Sequence, residues 1–483
     1  MSQLRFGGAS PPLHSVRHDR KSPLIFLPAL AYLCPKLIAM QPWTRLFGVL
    51  ILLMMVCTAK AQGYGPSTLQ KLTFSHPEFA TEAEYDKANG ITHNTIRTVS
   101  RKCILNKQVY GWHPAWSGTA YQRYDFALLS TIAYASYEIN PETGSYTTIH
   151  QWRETGLVER AHLGAAQVEL TASLAGIANT TRFLTNDQAR KTFCDSIVAL
   201  LQYKDADGVC LDFDHILPRF AAKFNSFVSE LATALHAWRK SATITVVLHP
   251  EGPEQGYLLP DLLPLVDRFI VMENELHGSD AKESGPVAPL FAGKWGESSF
   301  EHSIQTWLDK GIPKGKLLIT VPYYGYEWPT TTALPGSATK GKGKTVFLRD
   351  YETMDSSAFL QWDSASTTGW LLREKGNEKR QLWIDQVSSL GEKYALIKKM
   401  DIAGAGIWAL GYDHESDKYW NLLKGYFADC GAGESDQLTQ DSKPVAPGMD
   451  GPTSAERNTW NWVWMLGGGV IALVIIVLVK KYL

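Results

Sequence analysis

Eight short apolar runs between residues 109 and 410 constrain this chain more tightly than any other feature of its sequence. They are Val109–Trp112, Ser130–Tyr134, Val168–Ala172, Gly208–Phe213, Ile244–Leu248, Phe269–Met272, Leu317–Val321 and Gly406–Leu410. Most are β-branched and bounded by Gly, Pro or Asp, the pattern of parallel strands buried on both faces. Helical stretches such as Phe220–Leu235 separate several of them. Eight strands with crossovers in one domain predict an α/β fold, a (β/α)8 TIM barrel. The seventh and eighth runs are far apart, with a gap from about 325 to 404 that holds Lys344–Leu348 and Trp370–Leu372. A small α+β insertion between strands 7 and 8 is therefore expected.

The flanks differ in character. Residues 1–61 read as an N-terminal extension and signal peptide: Arg45, the apolar run Leu46–Val56, then Ala59-Lys60-Ala61 as a cleavage site. The signal is read from Met40, with residues 1–39 as a misassigned start, the favoured reading, or a long n-region. Val56 before Cys57 is too large for a lipidation signal. Residues 62–104 are polar and irregular, a lead-in to the barrel at 105–430. Residues 431–459, rich in Gly, Pro, Ser, Asp and Gln, read as a flexible linker. Residues 460–483 read as one C-terminal transmembrane helix, because Trp462–Val479 gives 18 uncharged residues between Trp460, Trp462 and Trp464 at one edge and Lys480-Lys481 at the other. The expected topology is an exported single-pass protein with the barrel on the extracytoplasmic side, periplasmic or at the cell surface if bacterial. Basic and acidic residues number 47 and 48, a net charge of −1, which gives no electrostatic ground for a nucleic-acid partner. Beyond the signal region lie Cys103, Cys194, Cys210 and Cys430, with no metal-type C-x-x-C pair. A Cys103–Cys430 disulfide would join the two ends of the barrel domain, and the sequence alone does not establish it.

Barrel chemistry is carried at the C-terminal ends of the strands. The densest set of acids is Asp207-Gly208-Val209-Cys210-Leu211-Asp212-Phe213-Asp214. Residues two apart on a strand share a face, so Cys210, Asp212 and Asp214 point the same way. Two carboxyls on one inward row raise each other's pKa, and one that stays protonated near neutral pH is the acid that glycoside cleavage requires. A solvated strand end is the plainer reading of the same residues.

This segment resembles the signature D-G-x-D-x-D-x-E of glycoside hydrolase family 18, the chitinase-like proteins, with Asp207, Gly208 and Asp212 matching. Val109–Trp116 looks like the family's first strand. Val271–Gly278 with Gly285–Leu290 looks like its sixth strand and loop, and Pro322–Trp328 like its seventh. Gly404–Asp413, preceded by Trp383-Ile384-Asp385, looks like its eighth. The resemblance implies retaining hydrolysis in which the substrate's N-acetyl group is the nucleophile. It implies Asp212 as the aspartate orienting the acetamide and Trp408 as the floor of the −1 subsite. Three places depart from the pattern: Asp214 stands where the acid glutamate belongs, Cys210 replaces an aspartate of the row, and Asn274-Glu275 stands where the family has Tyr-Asp.

The expected catalytic set is therefore Asp214, Asp212, Asn274 and Glu275. The expected substrate-binding set is Trp408, Trp112, Tyr324, Trp328, Asp207 and Cys210, with Trp116 a further aromatic candidate. Each aromatic residue is as readily core as sugar platform. The implied partner is an N-acetylglucosamine-containing polysaccharide, chitin or the peptidoglycan glycan, cut by substrate-assisted acid catalysis. The alternative is a catalytically impaired barrel that binds such glycans without cutting them. No cofactor is expected. His113, His249 and His277 are not spaced as a ligand set, so no metal is expected either. Asn179-Thr180-Thr181 matches a glycosylation sequon.

Overall fold

The computed structural model describes residues 81–88, 96–97, 103–250, 256–354, 359–413 and 416–429. The signal segment, the linker, Cys430 and the C-terminal apolar stretch lie outside the described residues. Among the described residues, no helix is long and apolar enough to cross a membrane.

The eight apolar runs form eight parallel strands: Gln108–Pro114, Thr131–Ile139, Gln167–Leu174, Gly208–Phe213, Thr243–Leu248, Arg268–Val271, Leu317–Pro322 and Gly404–Trp408. Each pairs in parallel with its neighbour in sequence order, and the eighth pairs with the first, Gly404 opposite Gln108 through Ile407 opposite Gly111, which closes the barrel. Main crossovers are the helices Leu157–Leu163, Asp187–Lys204, Ala221–Trp238, Phe300–Asp309 and Val387–Met400. Local chemistry sets their ends. The Asn186 side chain accepts from Ala189 N–H to start the helix Asp187–Lys204, and Asp205 closes it in the left-handed region at φ 55°. Ser299 starts the helix Phe300–Asp309 in the same way, accepting from His302 N–H.

The seventh strand runs directly into the insertion. It is a five-stranded antiparallel sheet in the spatial order Lys344–Phe347, Tyr324–Thr330, Glu378–Ile384, Thr368–Lys375, Phe359–Asp363, with the short helix Leu348–Glu352. The second barrel strand overruns its apolar run and folds back on Tyr146–Thr148 as an antiparallel pair. Within the lead-in segment, expected to be irregular, Glu82–Ala88 is a helix whose Tyr85 joins the hydrophobic core. Cys103 is disulfide-bonded. It directly precedes Ile104, which pairs with Asp429 at the far end of the domain.

The amino end of the barrel interior is polar. Glu169, fully buried, accepts from Arg268 Nη1 at 2.8 Å, Thr243 Oγ1 at 2.6 Å, Thr245 Oγ1 at 3.0 Å and Tyr110 Oη at 2.7 Å. Arg268 also donates to Gln108 at 3.0 Å and Gln167 at 2.5 Å. A buried charge is tolerable only when paired and hydrogen-bonded in this way. Above this layer sit Trp112 and Gly406. A Cβ at Gly406 would stand 3.2 Å from the Trp112 ring, so the eighth strand is bare where the indole fills the interior.

Candidate functional site

Side-chain parity on the fourth strand places the acids. Phe213 points outward into the helices, stacking on Phe227 at 5.8 Å and meeting Phe183 edge-on at 5.9 Å. Cys210, Asp212 and Asp214 therefore share the opposite, inward face. Asp212 and Asp214 stand at the carboxyl end of the strand and are buried, 7% and 3% exposed. Cys210 lies deeper and fully buried, its thiol among Tyr110, Glu169, Trp112 and Asp212. Burial pushes that thiol well above its ordinary pKa, so it is a neutral filler of the interior rather than a ligand-contacting group.

Asp207 is at the wrong end for substrate. It precedes the strand, at the amino face, separated from Asp214 by the six strand residues Gly208–Phe213. There it binds His162 Nε2 at 2.8 Å, Val168 N–H at 2.7 Å and Arg239 Nη1 at 3.5 Å. The hydrogen bond that His162 donates to Asp207 raises the pKa of His162. Asp207 thus tethers the second and third βα units to the fourth strand, a stabilising role.

The loop after the sixth strand delivers the other two candidates. Asn274 Oδ1 accepts from Thr320 Oγ1 at 3.1 Å, and its Nδ2 donates to Met272 Sδ at 3.3 Å. Glu275 turns at φ 91°, in the region that disfavours side chains. Its Oε1 accepts from both Tyr324 Oη at 2.7 Å and Tyr326 Oη at 2.6 Å. Burial raises the Glu275 pKa, and the two hydroxyls oppose that rise. Gly278 makes room for the second oxygen: a Cβ there would lie 2.5 Å from Glu275 Oε2. The insertion sheet thus reaches into the site through two tyrosines of one face, of which Tyr326 was not singled out from the sequence.

Trp408 ends the eighth strand, its ring 5.8 Å from that of Trp112. All five aromatic candidates are buried, at most 6% exposed. Trp112 is interior, edge-on to Tyr110 at 4.7 Å. Trp116 Nε1 donates to Tyr412 Oη at 2.9 Å, and Trp328 Nε1 to the Ser279 carbonyl at 3.3 Å. Trp112, Trp116 and Trp328 are packing residues rather than open sugar platforms, and Tyr324 is the partner of Glu275.

The histidines are held locally. His113 Nδ1 meets Tyr124 Oη at 2.8 Å and burial lowers its pKa to about 3. His277 Nδ1 meets the Pro286 carbonyl at 2.8 Å. Among the described residues, no group of three or more His, Cys, Asp or Glu could hold a metal ion. The sequon falls in the helix Ile177–Thr185, where Asn179 Nδ2 donates to the Ala175 carbonyl at 3.0 Å and Thr180 is buried.

The profile of glycosyl hydrolases family 18 matches residues 108–413. The chain belongs to that family. A probable endochitinase of Caenorhabditis elegans is 26% identical over 299 residues, 55% of this chain and 47% of the worm protein. Chitinase-3-like protein 2 of Homo sapiens is 26% identical over 261 residues, 48% of this chain and 65% of the human one. The chain thus spans about half the length of the worm relative. Among solved structures, a family 18 chitinase of Cycas revoluta in complex with (GlcNAc)3 aligns with TM-score 0.59 at 18% identity, over 66% of this chain and 99% of that one. An immunomodulatory active chitinase of Trichuris suis aligns with TM-score 0.58 at 23% identity, over 64% and 94%. These structural likenesses show the barrel fold.

Proposed function

We propose that this chain is a glycoside hydrolase that cuts β-1,4-linked N-acetylglucosamine polymers by substrate-assisted acid catalysis. One observation carries the reading: Asp212 and Asp214 stand buried on one inward face at the carboxyl end of the fourth strand. In this reading Asp214 protonates the glycosidic oxygen. Asp212 accepts the acetamide N–H, so that the acetamide oxygen is aimed at the anomeric carbon. That oxygen displaces the leaving sugar and forms an oxazolinium-type intermediate, which water then opens, returning a proton to Asp214. Asn274 donates its second Nδ2 hydrogen to the acetamide oxygen, because the sulfur of Met272 occupies only one. Glu275, held by Tyr324 and Tyr326, contacts a sugar hydroxyl. Trp408 forms the apolar floor. The protein acts outside a membrane, exported through its N-terminal signal and held by the apolar stretch Trp462–Val479.

The test uses the full chain in detergent with N-acetyl-chitooligosaccharides. Turnover is expected, and Asp214→Asn lowers kcat by on the order of 10²-fold or more, the usual worth of a general acid. Restoring the longer acid with Asp214→Glu separates two outcomes: a modest change leaves Asp214 as a working acid, whereas activity gained from nothing marks the native site as impaired. Binding without turnover, unaffected by Asp214→Asn, would make the protein a glycan-binding barrel.

A further inference from the structure

The sixth strand ends at Val271, and its ladder with the fifth strand makes one more bond, from Met272 N–H to the Leu248 carbonyl at 2.8 Å. Beyond it the backbone turns in two short steps. Glu273 N–H donates to the Val271 carbonyl at 3.1 Å, and Asn274 N–H to the Met272 carbonyl at 3.0 Å. Turns of this size are common at strand ends. Three successive side chains then leave towards three different elements. Glu273 Oε2 accepts from Ser303 Oγ, on the crossover helix Phe300–Asp309 outside the barrel. Asn274 Oδ1 accepts from Thr320 Oγ1 of the seventh strand, whose methyl lies against Gly406 in the barrel interior. Glu275 Oε1 accepts from the two tyrosines of the insertion. Glu273 and Ser303 are buried, 2% and 0% exposed, and neither has a part in the proposed chemistry. Ser303 is itself fixed, because its N–H donates to the Ser299 carbonyl at 2.9 Å, and Ser299 caps that helix. The same helix is tied back to the loop by Phe300 N–H, which donates to the Pro289 carbonyl at 2.8 Å.

We propose that Glu273, anchored by Ser303, is the positioning residue of Asn274. This rests on the reading of Asn274 as the donor to the acetamide oxygen. The two neighbours leave the backbone on opposite sides, Glu273 to the outer helix and Asn274 to the interior. A carboxyl tied outside therefore sets the peptide between them, and with it the direction of the Asn274 amide. The need is specific to this chain. An asparagine, standing where the family pattern has a tyrosine, has only two side-chain torsions and a short reach. Rotation of its peptide passes almost undiminished to its N–H. Its own side-chain partners do not fix that peptide: Thr320 takes the amide oxygen, and the Met272 sulfur is a weak acceptor. The tether from Ser303 through Glu273 does.

The test is a double-mutant cycle in the full chain in detergent, on N-acetyl-chitooligosaccharides. Ser303→Ala is expected to lower kcat by about tenfold with KM within about twofold, a part of the 10²-fold or more that loss of such a donor costs. Asn274→Ala is expected to lower kcat by about 10²-fold, and in that background Ser303→Ala should cost less than about twofold, because its effect runs through Asn274. Glu273→Leu should match Ser303→Ala, and Glu273→Gln should recover most of the loss, since its amide oxygen still accepts from Ser303. The last pair carries the comparison if Ser303→Ala does not fold. Unchanged kcat in Ser303→Ala overturns the assignment, as does an equal loss with and without Asn274, or a Gln variant as damaged as the Leu one. If the wild-type protein cuts nothing, or Asn274→Ala is harmless, the catalytic reading is what falls. A crystal structure of Ser303→Ala then decides the tether by itself: the Asn274–Thr320 hydrogen bond is expected to break, and its survival at 3.1 Å overturns the proposal.

Discussion

Glu82 lends itself to a quantitative test because its surroundings fix both the sign and the size of the effect. It belongs to the helix Glu82–Ala88 and is 7% exposed. Its Oε2 accepts from Tyr121 Oη at 3.0 Å, a hydroxyl that itself accepts from Gly156 N–H at 3.1 Å. Thr155, Asp86 and Lys204 are the other groups that act on it. Burial outweighs the hydrogen bonds and raises its pKa from 4.5 to about 7. A carboxyl whose folded pKa is raised contributes fully below pH 4.5, where folded and unfolded chains are both protonated. As pH climbs towards about 7 the unfolded chain releases its proton while the folded one retains it, and stability is lost. At about 1.4 kcal/mol per pH unit, the gap between 4.5 and about 7 amounts to about 3 kcal/mol above neutrality. Glu82→Gln removes the titration and keeps an oxygen for Tyr121. Urea denaturation of wild type and variant across pH should coincide below about pH 4 and separate above pH 8, with the variant more stable by about 3 kcal/mol. A difference that does not change with pH would refute the account of Glu82 as a buried neutral acid.

Two further outcomes follow from buried networks. Arg268→Met strands the carboxylate of Glu169 in the barrel interior and should destabilise the fold by about 3–5 kcal/mol, whereas the double change Arg268→Met with Glu169→Leu should recover much of that in the same denaturation assay. Tyr326→Phe removes one of the two hydroxyls that lower the Glu275 pKa, so that pKa rises further. The acid limb of kcat/KM on oligosaccharides should move up in pH; an unmoved limb would mean that ionised Glu275 is not required.

The barrel was legible because its strands are buried on both faces, which leaves largely apolar runs with only a few inward polar residues, such as Glu169 and Asp212, among them. The run Gly208–Phe213 and the strand coincide residue for residue. The second strand overruns its signal because Tyr137 and Ile139 continue it into a hairpin outside the barrel. The helix Glu82–Ala88 was not legible, since its buried residues include Glu82 and Asp86, which look like solvated charges until Tyr121 and Thr119 are seen to donate to them. Asp207 misled for a geometric reason. It sits seven positions before Asp214 in sequence, yet one strand length, about 20 Å, separates the two ends at about 3.3 Å per residue. The aromatic residues were ambiguous because a tryptophan in a barrel serves packing and sugar stacking with the same chemistry, and all five candidates, Trp408 included, are buried.

The departures from the family pattern bear unequally on whether the site works. A site left behind by lost function tends to hold buried polar atoms that no longer have partners, because each cost of about 1–3 kcal/mol goes uncorrected only where nothing depends on the geometry. The altered positions here are not of that kind. Asn274 gives its oxygen to Thr320, Glu275 gives one oxygen to two tyrosines of the insertion, and Cys210 is a buried neutral thiol beside Tyr110 and Trp112. Glu275, one methylene longer than the aspartate of the pattern, reaches Tyr324 and Tyr326 together, which joins the insertion sheet to the end of the sixth strand. The changes at 210, 274 and 275 are thus absorbed by their surroundings, whether or not the protein cuts a glycan. Asp214 differs in kind, since its shortened reach cannot be made good by a partner inside the protein, only by where the strand end is held. The question of activity therefore narrows to one carboxyl and the backbone beneath it.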